Sequence, residues 1–463
     1  MFPDAWYLIL SSRLIPDLDG GYTISTLARA RQMADAGAPT LMLTVDPGTA
    51  EAHAEHRAEF VRRGAAETSE VFRNLFDEAV GPDGGAAEWL RAAARPGEAD
   101  PTLEYRSVAG GAVDLPNVVD PHWHLSTAPI VVRNAAGDAI GVVDGFGALY
   151  RAWLAHVVGG LRAEIDRPVV LICESRQLGE LVVDWGDPGV RILHTVHTIH
   201  LEPPFTADAP VNALWERWLA VAPRFDAILW PTPWQHADVR ARFGDDRVDV
   251  VAPHGIPMPE AVEYAPDGPV VVLGRLAPGK RLDHAIRAFA RVAEDVPGAR
   301  LELWGAGPGR EALETLVAEL GLGDVVSLPG LTLDPGAVLD SAAVYLTTSA
   351  FEGQGLALAE ALAHGVPVVA YDIRYGPRDM LADGGGILVP DGDEDALAEA
   401  LVRVLRDAAL RQRLSAEARG WLPRRCPARR GGSPEVGPQL GALHVSVSKT
   451  RGRCRARSAC LGH

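Results

Sequence analysis

The sequence has few cysteines outside its C-terminal end and no long apolar run. Only Cys173 precedes residue 426, which excludes a disulfide framework in the main body and indicates a reducing compartment. No stretch approaches the ~20 apolar residues that a membrane-spanning helix needs. The first residues, MFPDAWYLIL, lack the basic start of a secretory leader. We therefore expect a soluble, cytoplasmic protein, with peripheral binding at the inner face of the membrane as an alternative.

Positive charge is also scarce. The chain has 44 Lys and Arg against 61 Asp and Glu, which gives a net charge of −17. Such an acidic balance argues against nucleic acid as a partner. Residues 424–463 are the exception, because they carry nine basic residues and one acid, Glu435, together with three cysteines. Residues 421–463 also lose helical periodicity, so we expect a disordered or aberrant tail, such as a frame shift would produce.

Two series of short aliphatic runs alternate with helical patterns along the 463 residues, which exceed the roughly 250–300 that one core usually serves. The first series includes AWYLILSS, TLMLTV, PVVLIC and VRILHTV, and the second includes PVVVLG, ARLELWG, AVYLTTS and VPVVAYD. Apolar strands between helices are typical of parallel sheets covered on both faces. The sequence therefore predicts an α/β protein with two doubly wound, Rossmann-like domains.

A proline-rich segment, 253–269, separates the two series and predicts a linker. We expect an N-terminal domain at 1–255 and a C-terminal domain at 256–420. About 100–147 breaks the alternation, since NAAGDA lies between two β-rich runs as in a hairpin. We predict a β-rich insertion there, which is also the candidate surface for a homo-oligomer, and helix across 50–95.

Two glutamates lie in the glycine-bearing stretch FEGQGLALAE, residues 351–360. Glu352 follows the run AVYLTTS, at the edge where open parallel sheets bind ligands. Glu360 lies in a helical pattern that is apolar almost all round, where a carboxylate needs a partner or a polar site. The pattern alone leaves two other readings open: a solvated loop position for Glu352, and a core ion pair or an exposed helix end for Glu360.

Two cations, Arg275 and Lys280, follow the first strand of the second series in GRLAPGKR. Facing a helix N-terminus they would suit a diphosphate, although cations on such loops are commonly only solvated. The run WGAGPGR, 304–310, lacks the GxGxxG spacing of a dinucleotide site. It predicts a tight turn between strand and helix, with a place in the lining of a nucleotide pocket as an alternative.

Three histidines, His194, His197 and His200, stand at the end of a strand in HTVHTIH. At least one should face the cleft between the domains and could donate a hydrogen bond to a ligand. A zinc site would need acidic or cysteine companions, which this run lacks. The pair Asp391 and Asp393 opens a helical pattern and is better explained by helix capping. We expect no metal ligands.

Taken together, these motifs resemble the retaining, nucleotide-sugar-dependent glycosyltransferases of family 4, which have the two-domain GT-B fold. The resemblance spans roughly residues 5–420 and rests on GRLAPGKR, LWGAGPGREALETLVAELGL, EGQGLALAEALAHGVPVVAYD and GGGILVPDGD. Glu352 and Glu360 match the family's pair of glutamates separated by seven residues. The segment AYDIRYGPRDML, together with the insertion, is similar to the branch of wall teichoic acid α-glucosyltransferases and related enzymes that modify polymers or proteins.

The resemblance implies that 1–255 is the acceptor-side domain and 256–420 the nucleotide-sugar-binding domain, and it implies a role for each matching residue. Arg275 and Lys280 would hold the donor diphosphate, Glu352 would lie beside the transferred sugar and Glu360 would bind the ribose hydroxyls. The catalytic set would be Glu352, His197, Arg275 and Lys280, with His200 competing for the place of His197. Donor contacts would be completed by the glycine turn at Asp19, Gly20 and Gly21 and by Gly353, Gly355 and Leu356.

The activity implied by the resemblance is retaining transfer of a hexosyl group, glucose or N-acetylglucosamine, from a UDP-sugar to an acceptor hydroxyl. The acceptor would be a cell-wall polyol-phosphate polymer or a protein, and no cofactor or metal would be needed beyond the UDP-sugar. Two alternatives are a non-catalytic carbohydrate- or UDP-binding partner subunit and another GT-B enzyme such as an epimerase. One departure is the missing amphipathic pattern after Leu422, where family members have a helix that crosses back to the first domain.

Overall fold

The computed structural model describes residues 2–18, 20–119, 123–244, 247–256, 259 and 264–425. The strands of its N-terminal part are β1 (Trp6–Ser11), β2 (Thr40–Thr44), β3 (Phe72–Asn74), β4 (Tyr105–Val108), β5 (Val113–Pro116), β6 (Pro129–Arg133), β7 (Ala139–Asp144), β8 (Val169–Cys173), β9 (Val190–Thr195), β10 (Ala227–Trp230) and β11 (Asp249–Val251). The helices there are α1 (Gly21–Asp35), α2 (Ala50–Arg62), α3 (Leu75–Glu78), α4 (Glu88–Ala93), α5 (Gly145–Glu164), α6 (Arg176–Val182), α7 (Ala213–Val221) and α8 (Pro233–Phe243).

The first sheet is parallel and has the strand order β11-β10-β9-β8-β1-β2-β3. The chain runs outward from β1 through β2 to β3, and then resumes on the other side of β1 with β8. The order therefore reverses between β1 and β8, and ligands of open α/β sheets bind at the carboxyl end of such a reversal. Helices cover both faces, which explains why the strand sequences are apolar throughout.

A separate four-stranded antiparallel sheet, β4-β5-β6-β7, lies between β3 and β8 in the chain. The side-chain oxygen of Asn134 accepts hydrogen bonds from the N–H groups of Ala136 and Asp138, at 3.0 and 2.9 Å, and so closes the turn between β6 and β7. Gly137 takes a φ of 84° in this turn, which a residue with a Cβ adopts only at a cost. The β-rich insertion and its hairpin are confirmed.

The predicted helix over 50–95 is wrong in part, because β3 and two short helices interrupt it after α2. Asn74 ends β3: its side-chain NH2 donates to Thr44 Oγ1 at 2.9 Å, and its oxygen accepts from the Phe76 N–H at 2.8 Å. The Asn74 side chain thus links β3 to β2 by a hydrogen bond and caps α3. A strand of three residues carries too little periodicity to be read from the sequence.

The C-terminal part contains a second parallel sheet, in the order β14-β13-β12-β15-β16-β17. Its order reverses between β12 and β15, so it too has one favoured ligand edge. The strands are β12 (Val270–Leu273), β13 (Leu301–Trp304), β14 (Val326–Gly330), β15 (Val344–Thr347), β16 (Val368–Tyr371) and β17 (Gly386–Val389). The helices are α9 (Leu282–Asp295), α10 (Arg310–Glu319), α11 (Pro335–Asp340), α12 (Leu356–Ala363), α13 (Pro377–Met380), α14 (Glu394–Arg406) and α15 (Ala408–Arg425).

Helix α15 packs on the second domain. Ala418 is buried in the cluster around α12, and the Glu417 carboxylate accepts the Gly385 N–H at 3.1 Å. The predicted tail begins at residue 421, whereas α15 extends to Arg425; the rest of that tail, from 426 onward, lies outside the described residues. The domain boundary near 255 stays a prediction, because residues 257, 258 and 260–263 of the expected linker are also outside them. Among the helices described, none is long and apolar enough to cross a membrane.

Candidate active site

A cavity lies in the second domain, beside the strands at which the order of its sheet reverses. The cavity is lined by the loop after β12, the loop after β15 and the first turn of α12. Arg275, Lys280, Glu352, Gly355 and Leu356 all line it. The structure therefore brings together five of the residues that the sequence singled out.

The loop after β12 carries the two cations. Arg275 is exposed at the cavity, whereas Lys280 is half-buried and its carbonyl accepts a hydrogen bond from Thr348 Oγ1 at 2.8 Å. Gly305 supports this loop from behind: a Cβ there would lie 1.8 Å from the Gly274 carbonyl oxygen. WGAGPGR is thus the tight turn that the sequence predicted, and it holds the cation loop without itself lining the cavity.

Glu352 forms the second wall of the cavity. Its Oε1 lies 2.5 Å from the Lys280 ammonium and accepts a hydrogen bond from Ser349 Oγ at 2.7 Å. The side chain is 18% exposed, so the solvated loop position left open by the sequence is excluded. A fixed carboxylate beside a fixed ammonium can bind a polar ligand that donates one hydrogen bond to the carboxylate and accepts one from the ammonium.

Helix α12 begins at the cavity. Gly355 precedes it with a φ of 93°, and Leu356 in its first turn faces the cavity. Glu360 lies one turn further on the same face. Burial raises the pKa of Glu360 to about 7. Among the described residues no hydrogen bond or ion pair holds its carboxyl group, so the core ion pair that the sequence left open is not found there, and the side chain is half-buried.

The glycine turn of the first domain contacts α12 across the cleft. A Cβ on Gly21 would lie 3.3 Å from Leu356 Cδ1, and Gly20 takes a φ of 51° before α1. Asp19, the first residue of this turn, lies outside the described residues. The two glycines leave the backbone of the first domain open toward the helix that carries Glu360.

The structure distinguishes the three histidines. His194 and His200 are buried, and burial lowers the pKa of both, to about 3 and about 4. His194 packs against Trp218 and His200 against Tyr375, so neither reaches the cavity. His197 instead lies at the cleft, where a Cβ on Gly353 would come within 2.2 Å of its carbonyl oxygen.

The ring of His197 is held by Glu174. Its Nε2 lies 2.5 Å from the Glu174 carboxylate, which can only accept, so the ring proton is on Nε2. Its Nδ1 lies 3.4 Å from Ser25 Oγ, whose hydroxyl donates to the Tyr22 carbonyl at 3.1 Å. Glu174 and Ser25 thus fix the orientation of the His197 ring, and the expected hydrogen bond from this histidine to a ligand stays a prediction.

Glu174 is the main functional candidate that sequence reasoning missed. It is fully buried and pairs with Arg29 of α1, whose Nε lies 3.1 Å away. Burial alone would raise the pKa of Glu174, but the nearby Arg29 and His197 outweigh it and hold that pKa at about 2. Glu174 follows β8 directly, as Glu352 follows β15 closely, so its place at a strand end was the available signal.

The described part of the chain contains no cluster of three or more His, Cys, Asp or Glu side chains that could hold a metal ion. Asp393 accepts the Ala396 N–H at 2.9 Å and caps α14, as the sequence predicted. Asp391 pairs with Arg281 at 2.5 Å. These two acids therefore have structural partners of their own.

Residues 262–421 match the family model described as glycosyl transferases group 1. A poly(glycerol-phosphate) alpha-glucosyltransferase of Bacillus subtilis is 33% identical over 198 residues, which are 42% of this chain and 29% of the relative. A poly(ribitol-phosphate) alpha-N-acetylglucosaminyltransferase of Staphylococcus aureus is 28% identical over 148 residues, 32% of this chain and 30% of the relative. The matched segments thus span less than a third of either relative.

Solved structures match nearly the whole chain in fold. One of S. aureus TarM, in complex with Fondaparinux, alpha-GlcNAc-glycerol and UDP, has a TM-score of 0.70 at 16% identity and covers 91% of this chain and 96% of its own. The pneumococcal O-GlcNAc transferase GtfA, in complex with UDP and GlcNAc, has a TM-score of 0.67 at 15% identity and covers 91% and 97%. The fold is therefore GT-B, and the match to the group 1 model is confined to residues 262–421; the family number 4 stays a prediction.

Proposed function

We propose that this chain, whose second domain is of the glycosyl transferases group 1 type, is a retaining enzyme that transfers a hexosyl group from a UDP-sugar to an acceptor hydroxyl. The observation that carries the proposal is the ion pair between Lys280 and Glu352 at the floor of the cleft. It lies at the reversal of the second sheet and opposite the glycine turn of the first. Glucose and N-acetylglucosamine are the sugars that the similar proteins suggest.

In this proposal the cations stabilise the diphosphate leaving group. When the bond between sugar and diphosphate breaks, negative charge develops on the diphosphate, and donors fixed before the reaction stabilise it most. Arg275 and Lys280 supply two positive charges, and the N-terminus of α12 supplies free N–H groups. These are counter-charges from the chain itself, so we propose that transfer needs no metal ion. EDTA should then leave the rate unchanged.

Glu352 faces the sugar and Glu360 the ribose in this proposal. A carboxylate at the ribose accepts hydrogen bonds from both hydroxyls of the diol. Glu352 is held by Ser349 and Lys280, so it can orient the sugar without moving. The departing phosphate takes the proton of the acceptor hydroxyl on the same face of the sugar, while His197 forms a hydrogen bond with a sugar hydroxyl.

The acceptor class follows from the similar proteins, which carry names for transfer to polyol-phosphate polymers and to peptides. The enzyme should be tested by UDP release from UDP-glucose and from UDP-N-acetylglucosamine, with poly(glycerol-phosphate), poly(ribitol-phosphate) or a serine-rich peptide as acceptor. We expect release with one acceptor class and an α-linked product by NMR. A β-linked product would reject retention, and UDP binding without release would favour the non-catalytic partner subunit.

The raised pKa of Glu360 predicts that donor binding depends on pH. Below pH 7 the carboxyl group is protonated and binds the ribose diol less well, so the affinity for UDP-glucose should rise roughly tenfold from pH 6 to pH 8. The phosphates of UDP-glucose are ionised throughout this range, so they add no pH dependence. Calorimetric titration without acceptor measures the effect.

The matched control for this test is the Glu360→Gln variant, which cannot titrate. Its affinity should be flat between pH 6 and pH 8 and should stay near the value of the wild type at pH 6. Equal affinity of the wild type at both pH values would remove Glu360 from the nucleotide site.

A further inference from the structure

The segment DIRYGPR, residues 372–378, links the two domains. It follows β16 of the second domain, yet its Arg374 Nε donates to the carboxylate of Asp238 in the first domain at 2.8 Å. The Tyr375 hydroxyl donates to the same carboxylate oxygen at 3.1 Å. Tyr375 is fully buried, and burial raises its pKa above the ordinary value, so the phenol keeps the proton that it donates.

An aromatic residue on the same helix face extends this contact. Trp234 lies one turn before Asp238 in α8, and the guanidinium groups of Arg374 and Arg378 lie over its ring, 4.8 and 4.0 Å from the centroid. Tyr375 meets the ring edge-on, with centroids 5.5 Å apart. Helix α8 of the first domain therefore contacts two arginines and a tyrosine of the second domain.

The same segment is bonded to the loop that carries Glu352. The Glu352 N–H donates to the Arg374 carbonyl at 3.1 Å, and the Tyr375 N–H donates to the Glu352 carbonyl at 3.0 Å. Gly376 packs against the next loop residues so closely that a Cβ would lie 1.8 Å from the Gln354 carbonyl oxygen. The backbone on both sides of Glu352 is thus fixed by residues 374–376.

We propose that Asp238 is a positioning residue: it holds Arg374 and Tyr375, and through their backbone bonds it holds the Glu352 carboxylate against Lys280. This inference rests on the proposed function only where it concerns sugar transfer. Asp238 touches neither the cavity nor its lining, so it acts through Arg374 and Tyr375. The contact makes the position of a second-domain carboxylate depend on the first domain.

Asp238 can influence Glu352 because the same two residues contact both of them. Arg374 and Tyr375 bond to Asp238 through their side chains and to Glu352 through their backbones, so a shift of either residue moves both contacts. Positioning matters because a misplacement of about 1 Å at a reacting group can cost about 10²-fold in rate. The Asp238 pair is largely shielded, with both side chains about one-fifth exposed, so it is not a freely solvated surface pair.

The kinetic test compares Asp238→Ala with Asp238→Asn. Alanine removes the acceptor of both side-chain bonds, so we expect kcat for UDP release to fall at least tenfold while KM for the UDP-sugar changes less than threefold. Asparagine keeps one acceptor oxygen and should recover part of the loss. The matched control is Asp184→Ala, which breaks an Arg224 pair lying wholly within the first domain and should leave kcat unchanged.

A second measurement does not depend on activity. Amide hydrogen exchange of the full chain should show faster exchange at Glu352 and Tyr375 in Asp238→Ala than in Asp184→Ala, because their N–H groups lose the anchored partner. Unchanged exchange at these two amides would overturn the positioning role. Faster exchange in a chain whose wild type releases no UDP would retain the positioning role and reject the proposed function instead. An unchanged kcat in an active enzyme would also overturn the inference.

Discussion

The Lys280→Ala variant should transfer sugar about 10²- to 10³-fold more slowly than the wild type, which is the range measured when one fixed donor to a developing anion is removed. Lys280 is the cation nearest to Glu352, at 2.5 Å. Alanine removes the charge that faces the leaving diphosphate and also leaves the Glu352 carboxylate without its ion-pair partner. The rate of UDP release at saturating UDP-sugar measures the loss.

The composition of the chain offers a matched control for this test. Lys280 and Lys449 are its two lysines, against 42 arginines. Lys449→Ala makes the same substitution in the tail and should leave the rate unchanged. Lys280→Arg should recover part of the activity if charge alone matters, and little if a compact ammonium is required. A Lys280→Ala enzyme with at least half of the wild-type rate would reject Lys280 as a binder of the diphosphate.

An amine-selective reagent extends the test to the wild type. Apart from the chain's N-terminus, such a reagent can modify only these two lysines. UDP should protect Lys280 and leave Lys449 reactive. Equal modification with and without UDP would place the diphosphate elsewhere, whatever the kinetics of the variants.

The Glu174→Leu variant should be less stable by about 3–5 kcal/mol, the usual cost of removing one partner of a buried ion pair. Glu174 is 0% exposed and Arg29 is 12% exposed, so the remaining guanidinium would stay in a poorly solvated place. His197 would also lose the acceptor of its Nε2–H. The free energy of unfolding in denaturant, followed by tryptophan fluorescence, measures the change.

Two controls separate this effect from the loss of any carboxylate. Asp184→Leu removes a partner of Arg224 from an exposed pair and should cost less than about 1 kcal/mol. The double variant Arg29→Leu with Glu174→Leu removes both charges and should recover part of the stability. If Glu174→Leu and Asp184→Leu cost the same, the buried pair would not be a stabilising contact.

The pH dependence of the free energy of unfolding at acid pH should also depend on Glu174. The pKa of Glu174 is about 2 in the folded chain and has an ordinary value of 4.5, so folding is favoured by the ionised form. This stabilisation is fully present above about pH 4.5 and is lost as the pH falls through 2. The free energy of unfolding of the wild type should therefore fall over this pH range by an amount that the Glu174→Leu variant does not show.

The two-domain α/β fold and its ligand edge could be predicted from the sequence because apolar strands between helices permit few arrangements. Once both sheets are parallel, residues that follow neighbouring strands lie at the same edge. That reasoning alone brings Arg275 and Lys280 near Glu352. The roles of these residues came from the resemblance and remain predictions.

The partners of these residues could not be predicted, because they come from distant parts of the chain. Arg29 and Glu174 come from α1 and the end of β8, and Asp238 is 136 positions from Arg374. The apolar pattern around Glu360 indicated a need for a partner or a polar site, and no partner holds its carboxyl group among the residues that the structure describes; burial raises the pKa of this group instead. Sequence patterns thus indicate the element on which a side chain lies, whereas tertiary packing determines which residues it contacts.

The contacts between the two domains have a consequence for which step limits the rate of the proposed reaction. The first domain meets the second at the Gly353 backbone beside His197, at the Gln354 side chain that accepts the His254 N–H at 2.7 Å, and at the Asp238 carboxylate. In the proposed reaction, donor entry and product release would require such contacts to part. Solvent viscosity should therefore slow the enzyme to the extent that opening, rather than bond exchange, limits each cycle.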